Sequence, residues 1–336
     1  MKEILNHLFE HRTLEKDQAK AILKNIASNV YNQSQIAAFL TVYLMRSITV
    51  HELMGFREAM LELCVPVDLE GYDAIDLCGT GGDGKDTFNI STLSSFVVAA
   101  CGQPVAKHGN SGVSSICGSS NLMAYFGHTF TDDQSSLRRN MDEAGICFLH
   151  APLFHPAMKN VAPIRKELGV KTFFNMLGPM VNPSFPKKQM VGVFSLELAR
   201  LYGYLYQNND VQFSVLHALD GYDEVSLTGD FKIISNKGEE VMAPETLGLS
   251  KLKASEIEGG HTVAESAKIF ENILKGKGTT AQIEVVLANS AIALQTADRT
   301  LSLPEAVDKA REALASGKAL QVFKSLISPK VSISIA

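Results

Sequence analysis

A helical module followed by a larger α/β sheet is the fold class that this sequence predicts, and three observations predict it. Over roughly the first 65 residues, apolar side chains recur at the three- and four-residue spacings of amphipathic helices. From Ala74 onward, short apolar runs alternate with helical stretches, the pattern of strands and helices layered into an α/β sheet. Residues 78–92, between a strand-like run and a helical one, hold the densest cluster of glycine and small polar residues in the chain.

In chain order, Leu14, Ile22, Leu23 and Ile26, then Ile36, Phe39, Leu40, Tyr43 and Leu44, fall on helical faces. Thr49 followed by Glu52 fits a capping box ahead of Leu53, Phe56, Met60 and Leu63. Residues 65–71, with Pro66, break the pattern, so a helical domain is expected over residues 1–70, open to a helix from later in the chain, and an α/β domain over 71–336. Residues 74–78, 90–100, 105–106, 137–144 and 146–149 supply the alternation that follows. Residues 189–194, 211–218, 224–227 and 231–235 read as further strands. Residues 265–316 return to helical spacing, with Pro304 suited to the first turn of one helix.

Composition narrows the class. The chain has 336 residues, 46% hydrophobic and 20% charged, with 25 Gly and 11 Pro, which is the make-up of an ordered globular protein rather than a disordered one. A formal net charge of −5 argues against a broad basic footprint, so no nucleic-acid partner is expected. Five cysteines, an odd number without a CxxC pair, suggest neither a disulfide framework nor a zinc site but buried reduced thiols. The first ten residues are an ordinary polar start, and no run approaches the ~18 apolar residues that a membrane span needs. The cytoplasm is the expected compartment.

The glycine-rich turn, Gly79-Thr80-Gly81-Gly82-Asp83-Gly84-Lys85, points to phosphate, because glycines let the backbone approach a ligand and free amides at a helix start attract anions. Gly79, Gly81 and Gly84 satisfy GxGxxG, yet a dinucleotide site also needs an acid about 20 residues on, and residues 99–107 contain none. Gly79 to Lys85 also satisfies GxxxxGK, but Asp86 stands where a nucleotide P-loop needs Ser or Thr. Both patterns match in letters and miss in mechanism. A second cluster, Lys107-His108-Gly109-Asn110, precedes the hydroxyl residues Ser114 and Ser115, and the two loops would face one cleft.

GTGGDGxxTxNIST over 79–92, KHGN over 107–110 with the following SS, and DGYDE over 220–224 together resemble the anthranilate phosphoribosyltransferases. HPAM over 155–158 and the block 163–179 resemble that family's aromatic-substrate segment. The resemblance implies a central mixed sheet flanked by helices behind a small all-helical N-terminal domain, as in nucleoside phosphorylases and related phosphoribosyltransferases. It implies transfer of the phosphoribosyl group of phosphoribosyl pyrophosphate to anthranilate, with Mg2+ as cofactor, and a homodimer.

Carried over residue by residue, the resemblance assigns Gly79, Gly82, Asp83, Thr87, Asn89, Ile90, Ser91, Thr92, Lys107, Ser115 and Ser119 to the donor. Gly79, Asn110 and Arg165 go to anthranilate, and Ser91, Asp223 and Glu224 to metal. A polyanionic donor needs amides, hydroxyls and a cation, magnesium prefers oxygen ligands shared with phosphates, and a planar guanidinium suits a carboxylate. Taken singly, Lys107 would be a solvated surface lysine, Asp223 and Glu224 a turn, and Arg165 a partner of Glu167. His108 and His155 take no acid/base role, and no nucleophile is expected. The chain departs from the family pattern at Ser111, Ile116 and Asn121, which remove charge near the phosphate loop. The competing readings are a pyrimidine nucleoside phosphorylase of the same general fold and a non-catalytic relative that binds nucleic acid.

Overall fold

Four helices open the chain: α1 (Lys2–Phe9), α2 (Lys16–Ala27), α3 (Gln33–Met45) and α4 (Val50–Leu63). The structure is a computed structural model and describes residues 1–112 and 116–328. Local chemistry starts each of the later three helices. Asn32 Oδ1 accepts from Gln35 N, and Thr49 Oγ1 accepts from Glu52 N, the capping box read from the sequence.

Glu52 does more than cap. Wholly buried, it accepts from Arg46 Nη1 at 2.9 Å and Nη2 at 2.5 Å, from Tyr43 Oη at 3.2 Å, from Leu14 N at 3.0 Å and from Thr49 N at 2.9 Å. One carboxylate therefore ties the α1–α2 connection to the end of α3 and the start of α4. Burial works against its charged form, but the donors from Arg46, Thr49 and Leu14 outweigh burial and hold the carboxyl below its ordinary value.

The rest of the chain builds one seven-stranded sheet from β1 (Ile75–Gly79), β2 (Val105–Gly109), β3 (Ile146–His150), β4 (Lys188–Gly192), β5 (Gln212–Ala218), β6 (Phe231–Ser235) and β7 (Gly238–Met242). Their order is β3-β2-β1-β4-β5-β6-β7, with the first five parallel and the last two antiparallel, so the sheet is mixed. Chain order runs outward in both directions from the β1–β4 pair, where Ile75 faces Lys188 and Gly79 faces Gly192. Such a reversal opens a crevice beyond the carboxyl ends of the two strands.

Alternation along the strands divides two cores. Ile75, Leu77, Met190 and Leu216 point to the face covered by α5 (Ile90–Ala100), α12 (Val263–Leu274), α13 (Thr280–Ala297), α14 (Leu303–Ala315) and α15 (Lys318–Ile327). Cys78, Val191, Val215 and Phe213 point to the other face, where α11 (Leu196–Gln207) and the opening helices share one core. The smaller helices α6 (Ser119–Tyr125), α7 (Gln134–Ala144) and α8 (Ala151–Phe154) sit toward the β3 edge. The opening helices also recruit α9 (Ala162–Leu168) and the turn before α10 (Phe174–Leu177): Val161 and Ile164 join their core, and Phe173 stacks on Phe56 at 4.4 Å.

Three local readings of the sequence change. Residues 224–227 are not a strand: Val225 N donates to Asn289 Oδ1, Val225 O accepts from Asn289 Nδ2, and Leu227 takes φ +60°, so a side chain of α13 replaces a sheet neighbour. β7 is not legible in the sequence because its residues, GEEVM, have little apolar alternation. It exists through hairpin pairing, Ser235 with Gly238, across the two-residue turn Asn236-Lys237. α11, capped by Ser195 Oγ on Leu198 N, is a further element that the sequence reading does not contain. All five cysteines are free thiols; Cys78, Cys117 and Cys147 are buried, whereas Cys64 and Cys101 are only half-buried. Among the described residues no helix is long and apolar enough to cross a membrane.

Replacing Glu52 by Ala removes the partner of the partly buried Arg46 guanidinium and empties a buried hub, and should cost roughly 2–4 kcal/mol in denaturant unfolding at neutral pH. The Glu52 contribution is present above the ordinary carboxyl value and is lost as pH falls through its lower folded value. A loss under about 1 kcal/mol would refute the clamp.

Candidate active site

A solvent-open cleft of about 320 Å³ lies beyond the carboxyl ends of β1 and β2, beside the β1–β4 reversal. The loop after β1, the start of α5, the loop after β2, the start of α6, the segment from Arg165 to Pro179, and Asp223 with Glu224 line it.

The loop after β1 can make its turns because Gly81, Gly82 and Gly84 take φ of +67°, +81° and +72°, a region that only glycine enters freely. Thr80 N donates to Gly192 O at 2.9 Å, Gly81 N to Asp223 Oδ2 at 2.6 Å, and Lys85 N to Asp83 Oδ1 at 3.1 Å. The amides of Gly82, Asp83 and Gly84 donate to no protein group among the described residues, so they remain for an anion. Lys85 Nζ lies 4.7 Å above the Tyr222 ring and holds the far side of the loop against 220–224. α5 begins at Ile90 without a side-chain cap from Asn89; Ile90 N donates to Phe88 O and Ser91 N to Glu224 Oε1, and Ser91 and Thr92 line the cleft at its first turn.

Asp223 and Glu224 are delivered by an irregular segment that passes close to two strand ends. A Cβ on Gly79 would stand 2.4 Å from Asp223 Oδ2, and one on Gly192 would stand 1.4 Å from Asp223 O. Both strands therefore need glycine where this segment crosses. Glu224 Oε1 accepts from Ser91 N at 3.0 Å, while Glu224 Oε2 is buried without a hydrogen-bond partner. Burial drives the Asp223 carboxyl well above the ordinary range, with Glu224 and Asp83 adding to it; burial also raises Glu224, against the pull of Ser91 and Lys107.

Lys107 is the cation beside this pair, and it is 2% exposed rather than solvated. Its Nζ donates to Leu77 O at 2.6 Å, burial lowers its pKa, and Asp76 and Glu224 partly restore it. Asp76, buried inside β1, accepts from His108 N at 3.1 Å and fixes the start of the second loop; burial pushes its pKa up to about 6.

On the opposite lining, Arg165 Nη2 donates to Asn175 Oδ1 at 3.1 Å, and its guanidinium stands 5.4 Å from the Phe174 ring centre. Among the described residues no carboxylate lies within 4 Å of it, its Nε is buried and unpaired, and burial lowers its pKa. The pairing with Glu167 expected of an isolated arginine does not form. His108 bonds through Nδ1 to Gly178 O at 3.1 Å, and its ring sits 5.2 Å from that of His155. Burial holds both neutral, down to about 3 for His108, where His155 contributes, and about 4 for His155.

The structure thus brings together Gly79, Gly82, Asp83, Thr87, Asn89, Ser91, Thr92, Lys107, Asn110, Ser119, Arg165, Asp223 and Glu224 in one cleft. Ile90 is buried behind the lining, and Ser115 lies outside the described residues. Asn89 Nδ2 donates to Cys117 O, joining the two loops, and Asn110 O accepts from Ser120 N and Ser119 Oγ. Of the three departures, Asn121 holds the loop closed. Its Oδ1 accepts from Gly112 N at 2.8 Å and Gly118 N at 3.1 Å, drawing the ends of the loop together without charge. Sequence reasoning missed Asp76 and Asn175; the one signal for Asp76 is an acid inside an apolar strand run.

Residues 2–64 match the family model described as the helical bundle domain of a glycosyl transferase family, and residues 71–320 match that of its a/b domain. The anthranilate phosphoribosyltransferase of Christiangramia forsetii is 61% identical over 97% of this chain and 98% of its own length, and that of Flavobacterium psychrophilum is 62% identical over the same shares. The structure of anthranilate phosphoribosyltransferase from Thermus thermophilus superposes with a TM-score of 0.89 at 33% identity, covering 96% of this chain and 98% of that one. The enzyme from Saccharomyces cerevisiae in complex with PRPP and Mg superposes with a TM-score of 0.89 at 27% identity, covering 96% and 95%.

Gly192→Ala, which drives a methyl group into the main chain at Asp223, should lower the thermal midpoint by several degrees, on the order of 1–3 kcal/mol. A midpoint equal to that of the parent would remove the crossing constraint.

Proposed function

The chain belongs to the anthranilate phosphoribosyltransferase family and transfers the phosphoribosyl group of phosphoribosyl pyrophosphate to anthranilate, giving N-(5-phosphoribosyl)anthranilate and pyrophosphate in tryptophan biosynthesis; from this premise we propose how its own residues divide the work. The observation that carries the division is the cleft-lining Arg165, a guanidinium with no acid partner among the described residues, facing the same space as a loop with free amides, the buried Asp223 and the half-buried Glu224.

In this reading Gly79, Gly82, Asp83, Thr87, Asn89, Ser91 and Thr92 hold the donor, with Ile90 shaping the turn behind them. Lys107 and Ser119 complete the shell together with Ser115. The free amides of the glycine loop and the hydroxyls of Ser91 and Thr92 meet phosphate oxygens, and Lys107 uses one of its three donors on Leu77 O and keeps the others for the cleft. Arg165 takes the anthranilate carboxylate, Asn110 and Gly79 border the ring, and the neutral His108, backed by the buried neutral His155, presents a flat surface rather than charge.

Asp223, Glu224 and Ser91 fit magnesium. The pair is oxygen-rich, Glu224 Oε2 has no protein partner, and both carboxyls are raised by burial beside another acid. No group of three or more His, Cys, Asp or Glu side chains among the described residues would hold an ion alone, so substrate oxygens and water would complete the shell. Bound there, magnesium neutralises charge on the departing pyrophosphate. The chain's own part is to orient the donor with amides and hydroxyls as positive charge grows on the ribose, and to aim the aryl amine with Arg165. That amine is neutral near pH 7 and attacks without a base, and its proton leaves to solvent or to pyrophosphate. This chemistry requires no nucleophile from the protein.

The division into a helical domain over 1–70, joined by α9, and an α/β domain over 71–336 puts donor and acceptor on opposite sides of the cleft. Two copies would associate through the helical domain, where Leu44 and Met45 are exposed, and the cytoplasm is the compartment that this reading implies.

Asp223→Asn with Glu224→Gln should keep the fold and lower kcat by about a hundredfold or more in a magnesium-dependent anthranilate fluorescence assay. Parental turnover in that variant would remove the metal assignment. Arg165→Ala should raise the anthranilate KM about tenfold or more while the donor KM holds. An unmoved anthranilate KM would remove the carboxylate role of Arg165.

A further inference from the structure

We propose that Lys171, acting through Thr172 and Asn175, couples occupation of the donor loop to the seating of the acceptor on Arg165. The inference rests on the proposed roles of that loop and of Arg165, and adds a positioning residue which touches neither substrate.

Lys171 is exposed and does not line the cleft. It reaches the back of the glycine loop, where its Nζ donates to Gly82 O at 2.5 Å. A Cβ on Gly82 would stand 3.3 Å from that Nζ, so the lysine lies directly against a loop residue whose φ of +81° already favours glycine. The amide of the next residue, Thr172 N, donates to Asn175 Oδ1 at 3.0 Å, and Arg165 Nη2 donates to the same oxygen at 3.1 Å. One side-chain oxygen therefore fixes both the chain leaving Lys171 and the guanidinium that faces the acceptor.

The far side of this segment cannot shift freely. Phe173 is stacked between Phe56 of α4 and Phe174, at 4.4 and 4.6 Å, and the Phe174 ring borders Arg165. Anchored there, the 171–175 turn has a polar contact with the donor loop through Lys171. When phosphate oxygens fix the amides of Gly82 and Asp83, the Gly82 carbonyl on the outer side is fixed as well. The lysine, the turn and the arginine are then held in one arrangement. Coupling of this kind is reciprocal, so acceptor binding tightens the donor by the same factor.

The test is an equilibrium titration of anthranilate, read by its fluorescence, with and without magnesium pyrophosphate as the occupant of the donor loop. In the parent, pyrophosphate should lower the anthranilate Kd about fivefold or more. Lys171→Met should bind anthranilate equally with and without pyrophosphate, and Lys171→Arg, which keeps a donor in reach of Gly82 O, should restore the ratio. A parental ratio of one, or a Lys171→Met ratio equal to the parent's, overturns the coupling. Arg165→Ala separates the two layers: anthranilate binding as tight as the parent's sinks the acceptor assignment and the coupling with it. Weak binding in Arg165→Ala together with a preserved ratio in Lys171→Met sinks the coupling alone.

Discussion

The segment that carries Asp223 and Glu224 crosses the carboxyl ends of β1 and β4 so closely that neither strand can carry a side chain at the crossing. Gly79 and Gly192 are paired across the two strands, and Asp223 rests on both. That close approach puts two acids at the point where strand order reverses, within reach of the α5 start and the loop after β1. Asp223 then organises the loop by accepting from Gly81 N, and Glu224 organises the helix by accepting from Ser91 N. A bulkier residue at either crossing would separate the acids from the amides they orient.

Concentrating charge there is costly, and the neighbouring strands carry the compensation. Lys107 is buried in β2 next to Leu77 O, with Asp76 and Glu224 close enough to favour its charged form. Asp76 in turn receives His108 N, so the acid that helps keep Lys107 charged also sets where the KHGN loop leaves the sheet. Burial nonetheless raises both acids at the crossing, with Asp83 adding to it and Lys107 only partly offsetting it at Glu224. In the proposed reading, a polyanionic substrate carrying magnesium would supply positive charge there on binding, in addition to the fixed Lys107.

The Arg165 side of the cleft depends on the opening helices. Glu52 closes the α1–α2 connection, α3 and α4 around one carboxylate, and the core it secures holds Phe39, Tyr43 and Phe56 around Phe173. Phe173 lies two residues before Asn175, the partner of Arg165. Stability of the helical segment and aim of the guanidinium are thus parts of one packing problem, and the cleft is assembled from two cores that meet across the sheet.

Much of this was legible in the sequence, where the information is local. The Thr49 capping box, the helical spacings and the glycine-rich turn are short-range patterns whose chemistry is the same in any fold, and the motif blocks named the residues that now line one cleft. Nonlocal neighbours decided the rest. Residues 224–227 have the apolar character of a strand, yet Asn289 supplies the hydrogen bonds a strand partner would have made. β7 is polar and exists because β6 offers it an edge. Lys107 looks like a surface lysine until β1 and β3 close on either side of it, and Lys171 looks like one even in place, since among the described residues only the Gly82 carbonyl gives its ammonium a hydrogen-bond partner. Sequence alone determined which chemical groups this protein brings to its cleft. Tertiary structure decided which are buried, which are paired and which are left facing the cleft, because burial and hydrogen bonding depend on residues a hundred positions away.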